Sequence, residues 1–564
     1  MKVSGNPISK KDLSIIWPDL LLAGFIFYMA FAYVRISGNR SFSFDEFEIL
    51  YAGASLIRGK ALYADQIEPH FPLFNLFIAH IVALFGFKIT TITIARYAIL
   101  LTNVIALLFV YKIGAILWDK RTGLLAVCLT LSSLIFLNRG IEIRHDVFNM
   151  TFNVIGAYYG LRYIKEKRYS ILILSGIFLG MALASTQKAI VWNVGIIVGL
   201  SLYYLRSMSY KMIWKIHLCY LSTLLVALAM SLLYLVFRYN ENIYMFFDYA
   251  VIKQLIFYAP YTEEVYPFPY NRLDVFKDLI FQNHLQYALA IGGVFAIIAA
   301  WFRSNTQRIV VAVWALTGVF FYVTAKRPFS QTFFPSVPPL AILVSGLLSD
   351  TYKDFQDLLI IKKIGIAIPA VFLLFIWPLC LVSSQMTKDP SMMRQMANVS
   401  FCLNNLKADE KVLCFTQNQI FFDPVFTINW ERGEKPIWEY DADWFEDGMI
   451  NEQCKVIIND YRTRLLNKEV KEKIKLNYIA AKTGDILVPG FVIGPRKVCI
   501  KKVWIAGDYY SPTRSLALDG EEITDNLIHL DQKDYRFHNI TDRYVTVVYI
   551  FDKARVLKQL PIRE

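Results

Sequence analysis

Four sets of ionisable residues stand where long apolar runs end. Asp45 and Glu46 follow the first run, and Glu142, Arg144, His145 and Asp146 form a second set. Lys188 closes the turn Ser185-Thr186-Gln187-Lys188, and Lys326-Arg327 lies further on. A carboxylate can take a proton from a reacting hydroxyl, and lysine or arginine can hold a growing negative charge. Charge beside hydrocarbon is costly, so it is usually functional or paired. Each set also has a plainer reading. Asp45-Glu46 suits the first turn of a helix, where acids are favoured. Asp146 suits an N-cap, and Lys188 a lysine snorkelling from the end of a span. What favours chemistry is convergence: acids and bases fall on one side of a membrane once the elements carrying them are laid out.

Those elements are mostly apolar. Of 564 residues 56% are hydrophobic and 19% charged, against about 25% charged in ordinary soluble domains. The excess is confined to residues 1–384, a succession of apolar runs joined by short basic or aromatic loops. Residues 385–564 hold 26 basic and 26 acidic residues, so the whole net charge of +13 belongs to the first 384. Basic residues in loops between apolar runs follow the positive-inside bias, which leaves no nucleic-acid partner to infer. The first run, Ile15 to Val34, is preceded by Lys10 and Lys11 and followed by no small-residue cleavage site. It reads as an anchor.

Six basic clusters mark cytoplasmic loops: Lys10-Lys11; Lys120-Arg121; Lys165, Lys167 and Arg168; Arg206, Lys211 and Lys215; Arg303 and Arg308; and Lys353, Lys362 and Lys363. Each neighbouring pair must be separated by an even number of crossings. Thr122–Leu137 and Val147–Ile164 satisfy this after Arg121, and later turns fall near Lys188, in 238–286 and at Ala325-Lys326-Arg327. Three apolar stretches lie between Lys11 and Lys120. The shortest, Pro72–Gly86, is too short for a span of about 20 residues and suits an interfacial helix. The expected topology is eleven spans, a cytoplasmic amino terminus and an extracytoplasmic carboxy-terminal domain. It puts Asp45, Glu46, Asp146, Lys188 and Lys326 on the outer face.

The surroundings of these residues form an ordered set. After Phe44-Asp45-Glu46 come Arg-Gly-Lys-Ala-Leu-Tyr-Ala-Asp (58–65), Glu-Pro-His-Phe-Pro-Leu-Phe-Asn (68–75) and Leu-Phe-Gly (84–86). Ala95-Arg96, Trp118-Asp119-Lys120-Arg121-Thr122-Gly123, Arg144-His145-Asp146, Lys188, Lys326-Arg327 and Phe334-Pro335…Pro338-Pro339-Leu340 follow. Over about residues 1–350 the set resembles the GT-C glycosyltransferases that use polyprenyl-phosphate sugars. The nearest branches are the lipid A aminoarabinose transferase, the Rgt-type lipopolysaccharide core transferases and the protein O-mannosyltransferases.

The resemblance implies a polytopic α-helical domain, a sugar donor carried on one lipid phosphate, and an acceptor hydroxyl on a cell-envelope glycolipid, lipopolysaccharide, polysaccharide or protein. It makes Asp45, of the Asp45-Glu46 pair, the catalytic residue and Asp146 the second-loop acid. The chain departs from the family at Pro69-His70-Phe71, where the aminoarabinose branch has Glu-Lys-Pro and His70 takes the place of a phosphate-binding lysine. For such a transfer Asp45 is the expected base, with direct displacement and inversion. His70, Arg144, Lys188 and Lys326 are the candidates to hold the leaving phosphate, which would raise the pKa of His70. A divalent metal on Asp45, Glu46 or Asp146 is compatible with the chemistry, but neither HExxH nor DxD spacing marks one. The competing reading is a flippase for a lipid-linked sugar, and behind it a polymerase or ligase using pyrophosphate-linked oligosaccharide. Transporters place ionisable groups at the bilayer midplane and often carry internal repeats, and the sequence shows neither.

Beyond residue 384, two parts are expected: a soluble α/β domain at 385–495 and a small β-rich sandwich at 496–564. Val412–Phe415 and Lys455–Ile458 read as buried strands and Tyr461–Leu476 as a charged helix. Asp519-Gly520 is a hairpin signal. Cys402, Cys414, Cys454 and Cys499 leave room for one or two disulfides in an oxidising compartment. The outer loop 238–286, with Tyr244, Phe246, Phe247, Tyr249, Tyr258, Tyr261, Tyr266, Phe268 and Tyr270, is expected to form an interfacial lid over the site or a plain aromatic belt at the membrane interface.

Overall fold

The structure, a computed structural model, describes residues 10–66, 68–206, 210–253, 272–303, 306–324, 330–355, 368, 371–387, 389–414, 420–426, 441–460, 463–481, 485–512 and 516–551. Its first half is helical: α1 (Lys10–Asn39), α2 (Phe44–Ile57), α3 (Leu73–Phe85), α4 (Ile89–Leu117), α5 (Lys120–Leu131), α6 (Leu134–Gly140), α7 (His145–Glu166), α8 (Tyr169–Ser185), α9 (Ile190–Arg206) and α10 (Tyr210–Tyr239). Arg272–Arg303, Ile309–Thr324 and Val337–Phe355 complete the bundle. Among the described residues, five helices are long and apolar enough to cross a membrane: Pro18–Asn39, Ile89–Leu117, Gln187–Arg206, Tyr210–Tyr239 and Gln331–Thr351. Their outward faces keep large apolar side chains uncovered, among them Phe27, Leu101, Trp214 and Phe237, as lipid-facing helices require.

Two details differ from the sequence pattern or refine it. The stretch Thr122–Leu137, expected as one span, is broken at Ser132-Ser133 into α5 and α6, bent by 68°. The short α6 carries Arg139 in its last turn, and the chain turns at Ile141 toward α7. The stretch 72–86 forms α3, a 13-residue apolar helix that packs on α2. Helices approach closely where the facing residue is glycine. A Cβ at Gly114 of α4 would lie 2.7 Å from the Cα of Gly123 of α5, so neither position admits a side chain without moving a backbone.

The carboxy-terminal half is built on two sheets. The strands are β1 (Lys411–Leu413), β2 (Asp423–Pro424), β3 (Val456–Ile458), β4 (Tyr478–Ala480), β5 (Ile486–Ile493), β6 (Val498–Lys502), β7 (Gly507–Tyr510), β8 (Leu516–Leu518), β9 (Glu521–Glu522), β10 (Leu527–Leu530), β11 (Asp534–Asn539) and β12 (Val545–Tyr549). The larger sheet runs β10-β7-β12-β5-β3-β1-β2, with β4 also on β5; the smaller runs β6-β11-β8-β9. The division expected at residue 495 is therefore not a break in the sheet: β12 pairs with β5 through Val545–Ile493 and with β7 through Tyr549–Tyr509. The hairpin at Asp519-Gly520 is present, joining β8 to β9 with positive φ at both residues. The charged helix is shorter than expected, Lys468–Asn477. Among the described residues Cys402, Cys414, Cys454 and Cys499 form no disulfide, and the first three are buried.

Asp423 of β2 ties this half to the loop after α2. Its carboxylate meets Lys60 at 2.5 Å and Arg58 at 3.0 Å, and Tyr51 donates to it at 3.4 Å. Burial would raise the Asp423 carboxyl, but Lys60 and Arg58 outweigh it and hold it below its ordinary range. A depressed carboxyl contributes stability that is present above the ordinary carboxylate pKa and lost as pH falls through the lowered one. Asp423→Ala should cost about 1 kcal/mol, as for other partly exposed pairs. Thermal unfolding of the purified protein checks this, and an unchanged midpoint at low salt would discard the latch.

Candidate active site

The site begins with the first turn of α2. Ser43 caps the helix: its Oγ accepts from the amide of Glu46, and the Glu46 carboxylate accepts from the amide of Ser43 at 2.8 Å. That reciprocal box fixes the helix start. Successive helical residues point about 100° apart, so Asp45 and Glu46 go to different places. Glu46 turns inward. Its Oε1 accepts from Arg96 Nε at 2.8 Å and from the Ile143 amide at 3.1 Å, and its Oε2 accepts from Arg96 Nη2 at 2.7 Å. Arg96 also donates to the carbonyls of Ser37, Arg40 and Ser41 at 3.0, 2.6 and 2.9 Å and lies over the Phe42 ring. Both side chains are essentially inaccessible, 0% and 1%. Glu46, expected beside Asp45 in the chemistry, is thus placed in the scaffold.

Asp45 faces the other way and stays open, with 41% of its side chain accessible. Arg144 donates to it through Nη2 and to Glu142 Oε2 at 3.0 Å through Nη1. Glu142, buried, is itself gripped by Arg139 at 3.0 Å and approached by Arg40 at 3.6 Å. Burial would raise the Asp45 carboxyl. Arg144, then His70, Arg139 and Lys188, more than offset this and hold it below the usual carboxylate range. The result is an ionised, reachable carboxylate set among cations.

Three more segments close around it. Arg144 is the extended N-cap of α7, and His145 and Asp146 form its first turn. Asp146 is therefore inside the helix and not its cap. Both residues are buried, and among the described residues His145 Nε2 and Asp146 Oδ1 have no hydrogen-bond partner. The segment Glu68-Pro69-His70 is pinned by Gln187 Nε2 donating to the Pro69 carbonyl at 2.9 Å and by the Tyr63 hydroxyl donating to the His70 carbonyl at 2.9 Å. Tyr63 is held in turn by Glu241, which accepts its amide at 3.2 Å. The 3-10 turn Gln187–Ala189 brings Lys188 close enough for its charge to act on Asp45 and His70. Among the described residues, no hydrogen bond or ion pair occupies the Lys188 ammonium.

His70 does not behave as a stand-in lysine. Its Nδ1 lies 2.8 Å from Glu68 Oε1, and its ring stacks on His145 with centroids 4.2 Å apart. Burial, with Lys188 adding to it, pushes its pKa down to about 3. The imidazole is neutral at ordinary pH; the raised pKa expected of it applies where a phosphate lies alongside. Lys326 lies outside the described residues, as do Tyr258, Tyr261, Tyr266, Phe268 and Tyr270. Of the remaining loop aromatics, Phe246 is buried against Tyr63 and Phe71, Tyr249 is buried, and Tyr244 and Phe247 are exposed. As for a metal, Glu46 is committed to Arg96, so Asp45, Glu46 and Asp146 do not form one ligand set. Among the described residues, the group of three ligating residues that does converge is Glu68, His70 and His145.

The sequence reading missed Glu68, Arg139 and Arg40, and it assigned Glu142 and Arg96 no role. Arg139 and Glu142 stand three apart at a helix end, a spacing that brings side chains together. Nothing in the local pattern marks Arg96 as the partner of Glu46, fifty residues away.

Solved structures share this architecture. ArnT from Cupriavidus metallidurans in the apo state superposes with a TM-score of 0.57 at 12% identity, over 84% of this chain and 98% of that one. The fold is that of the GT-C glycosyltransferases. The same ArnT bound to undecaprenyl phosphate gives 0.53 at 12% identity, covering 92% of this chain and 98% of that one. The apo oligosaccharyltransferase of Archaeoglobus fulgidus gives 0.52 at 11% identity, over 83% and 74%. The family model of dolichyl-phosphate-mannose-protein mannosyltransferases matches residues 68–237. That segment of the GT-C fold holds His70, Arg144, Asp146 and Lys188, while Asp45 lies upstream of it. No curated protein matches the chain by sequence.

Proposed function

We propose that this chain is a glycosyltransferase that moves a sugar from a polyprenyl-phosphate carrier to an acceptor hydroxyl at the outer face of the membrane. The observation that carries the reading is Asp45, ionised and accessible, in a GT-C fold where Arg144 and Lys188 surround it with positive charge. The Asp45 carboxylate takes the proton of the acceptor hydroxyl. The acceptor oxygen forms its bond to the anomeric carbon as the bond from that carbon to the phosphate oxygen breaks. The electron pair stays on the lipid phosphate, and the configuration inverts. Arg144 is engaged by two carboxylates, so Lys188 is the group freest to stabilise the leaving phosphate. Asp146 helps orient the substrates, and His70 contributes a neutral ring and no charge.

In this reading the amino terminus is cytoplasmic and the carboxy-terminal domain extracytoplasmic, where it supports the acceptor. The acceptor is a glycolipid, polysaccharide or protein of the cell envelope. Mass spectrometry of surface glycolipids from cells with and without the gene should show products differing by one sugar. Purified protein in proteoliposomes should release free polyprenyl phosphate from the lipid-linked sugar. Movement of the intact lipid-linked sugar across the bilayer, with no release of lipid phosphate, would replace this reading with a flippase. Lys188→Met should lower turnover about a hundredfold, the usual scale for losing one stabilising group on a developing anion. Unchanged turnover would return Lys188 to the role of a span-end lysine.

A further inference from the structure

We propose that Gln395 and Asp389 are positioning residues for Asp45, fixing from a distant part of the chain the short segment that sets its direction. The inference rests on the transfer reaction proposed above. Asp45 stands in the first turn of α2, so where it points follows from where that helix starts. The residues before the start, 40–43, belong to neither α1 nor α2. Irregular backbone keeps its place only when its amides and carbonyls find partners elsewhere, and here they can be traced. The Arg40 amide closes α1 on the Ile36 carbonyl, and the Ser43 carbonyl opens α2 on the Phe47 amide. The carbonyls of Arg40 and Ser41 accept from Arg96, and the Ser43 amide donates to Glu46.

The other three groups go to side chains 348 and 353 residues further along. The Ser41 amide donates to Asp389 Oδ2 at 3.2 Å. The Phe42 amide donates to Gln395 Oε1 at 2.8 Å, and Gln395 Nε2 donates to the Phe42 carbonyl at 2.9 Å. One side chain thus satisfies both backbone groups of one residue, as a paired strand would.

This clasp is itself anchored. Asp389 Oδ1 caps the helix Pro390–Asn405 by accepting from the Ser391 amide at 2.8 Å, so a single carboxylate fixes two segments. The Asp389 amide donates to the Asn39 carbonyl at 3.0 Å, and Asn39 Nδ2 to the Met386 carbonyl at 3.2 Å. Further along, the helix buries Val399 and Cys402 in one core with Val412 of β1 and Val456 of β3. The larger sheet therefore holds the helix, the helix holds Phe42, and Phe42 sets the cap from which Asp45 projects.

The contribution of Gln395 is geometric. A base must lie within hydrogen-bond reach of the hydroxyl it deprotonates, and a displacement of about 1 Å can cost about a hundredfold in rate. Losing Gln395 differs from losing Arg96. The buried Arg96–Glu46 pair stays intact, and only the Phe42 backbone is released.

The test gives the full-length protein in detergent an extract of membranes from source cells that lack the gene. That extract contains the carrier-linked sugars and the acceptors, and free polyprenyl phosphate is measured by mass spectrometry. Gln395→Ala should elute as the folded protein and lower the maximal rate about tenfold to a hundredfold. The amount of extract giving half the maximal rate should change less than about twofold, since no substrate contact is lost. In an Asp45→Asn background the same change should lower the residual rate by less than about twofold, because an absent base cannot be misplaced. Hydrogen exchange should speed up over residues 40–46 and stay unchanged in α3. Should Gln395→Ala fail to fold, Gln395→Glu carries the comparison. It keeps an acceptor for the Phe42 amide and, ionised, has no donor for the carbonyl, so its loss should be intermediate. Wild-type turnover, or unchanged exchange over 40–46, in the folded variant overturns the inference and leaves the transferase standing. An equal loss in the Asp45→Asn background overturns it too, by placing the effect elsewhere. A wild type that releases no polyprenyl phosphate overturns the transferase reading, and this inference falls with it.

Discussion

Asp45→Asn is expected to leave the protein folded and membrane-inserted while lowering sugar transfer several hundredfold or more, the upper part of the range for general acid–base groups. The substitution keeps the shape of the side chain, and Arg144 keeps its bond to Glu142. Loss of the proton acceptor is therefore separated from loss of structure. Near-normal turnover would remove Asp45 from the mechanism. The same group fixes a pH dependence. Burial raises the Asp45 carboxyl and Arg144 is the largest of the groups that lower it, so the wild-type base stays ionised down to the low end of the carboxylate range. Activity is lost only as pH falls through that lowered value. Arg144→Gln lets burial win, and the acid limb of kcat/KM should move upward. A limb that stays in place in this variant would show that Asp45 is not the titrating base.

The second large effect falls on stability. Arg96→Met should destabilise the folded protein by about 3–5 kcal/mol, the cost of removing one partner of a buried ion pair. Glu46 would be left charged and enclosed, and the carbonyls of Ser37, Arg40 and Ser41 would lose their donor. Pairing the change with Glu46→Leu removes the uncompensated charge, so much of the loss should be recovered. Thermal unfolding in detergent reads both outcomes. A single variant as stable as wild type would mean that the pair does not hold α2 to α4.

How far the sequence could go is clear at this same pair. Asp45-Glu46 was legible as two acids outside the first span, and the family-like order of motifs singled out the first of them. Which acid would be buried depended on Arg96 and the Ile143 amide, contacts set by helix packing and invisible in local spacing. Lys188, at a turn signal that coincides with a span end, lies close enough to act on Asp45 and His70. The low pKa of His70 follows from burial beneath His145 and beside Lys188, a three-dimensional property that local spacing does not encode. The bend at Ser132-Ser133 had a local signal, two serines within an apolar run, but apolar length outweighed it. The sheet was the least legible part. The strands β1 and β3 showed as short apolar runs, yet the pairing of β12 with β5, some fifty residues apart, is a long-range choice that periodicity does not encode.

That pairing decides when the carboxy-terminal half can form. In the larger sheet β12 lies between β5 and β7, so a central position is filled by a strand synthesised after both of its neighbours. Until Val545–Tyr549 has emerged, β5 and β7 each present an open edge, and β5 is an eight-residue strand with mostly buried side chains. Open apolar edges template pairing between chains, and half-made domains are exposed to that hazard for as long as synthesis lasts. A nascent chain of this protein therefore depends on whatever shields β5 until β12 arrives. A premature stop between residues 494 and 545 would leave that edge uncovered and convert a membrane-anchored molecule into a nucleus for aggregation at the bilayer surface.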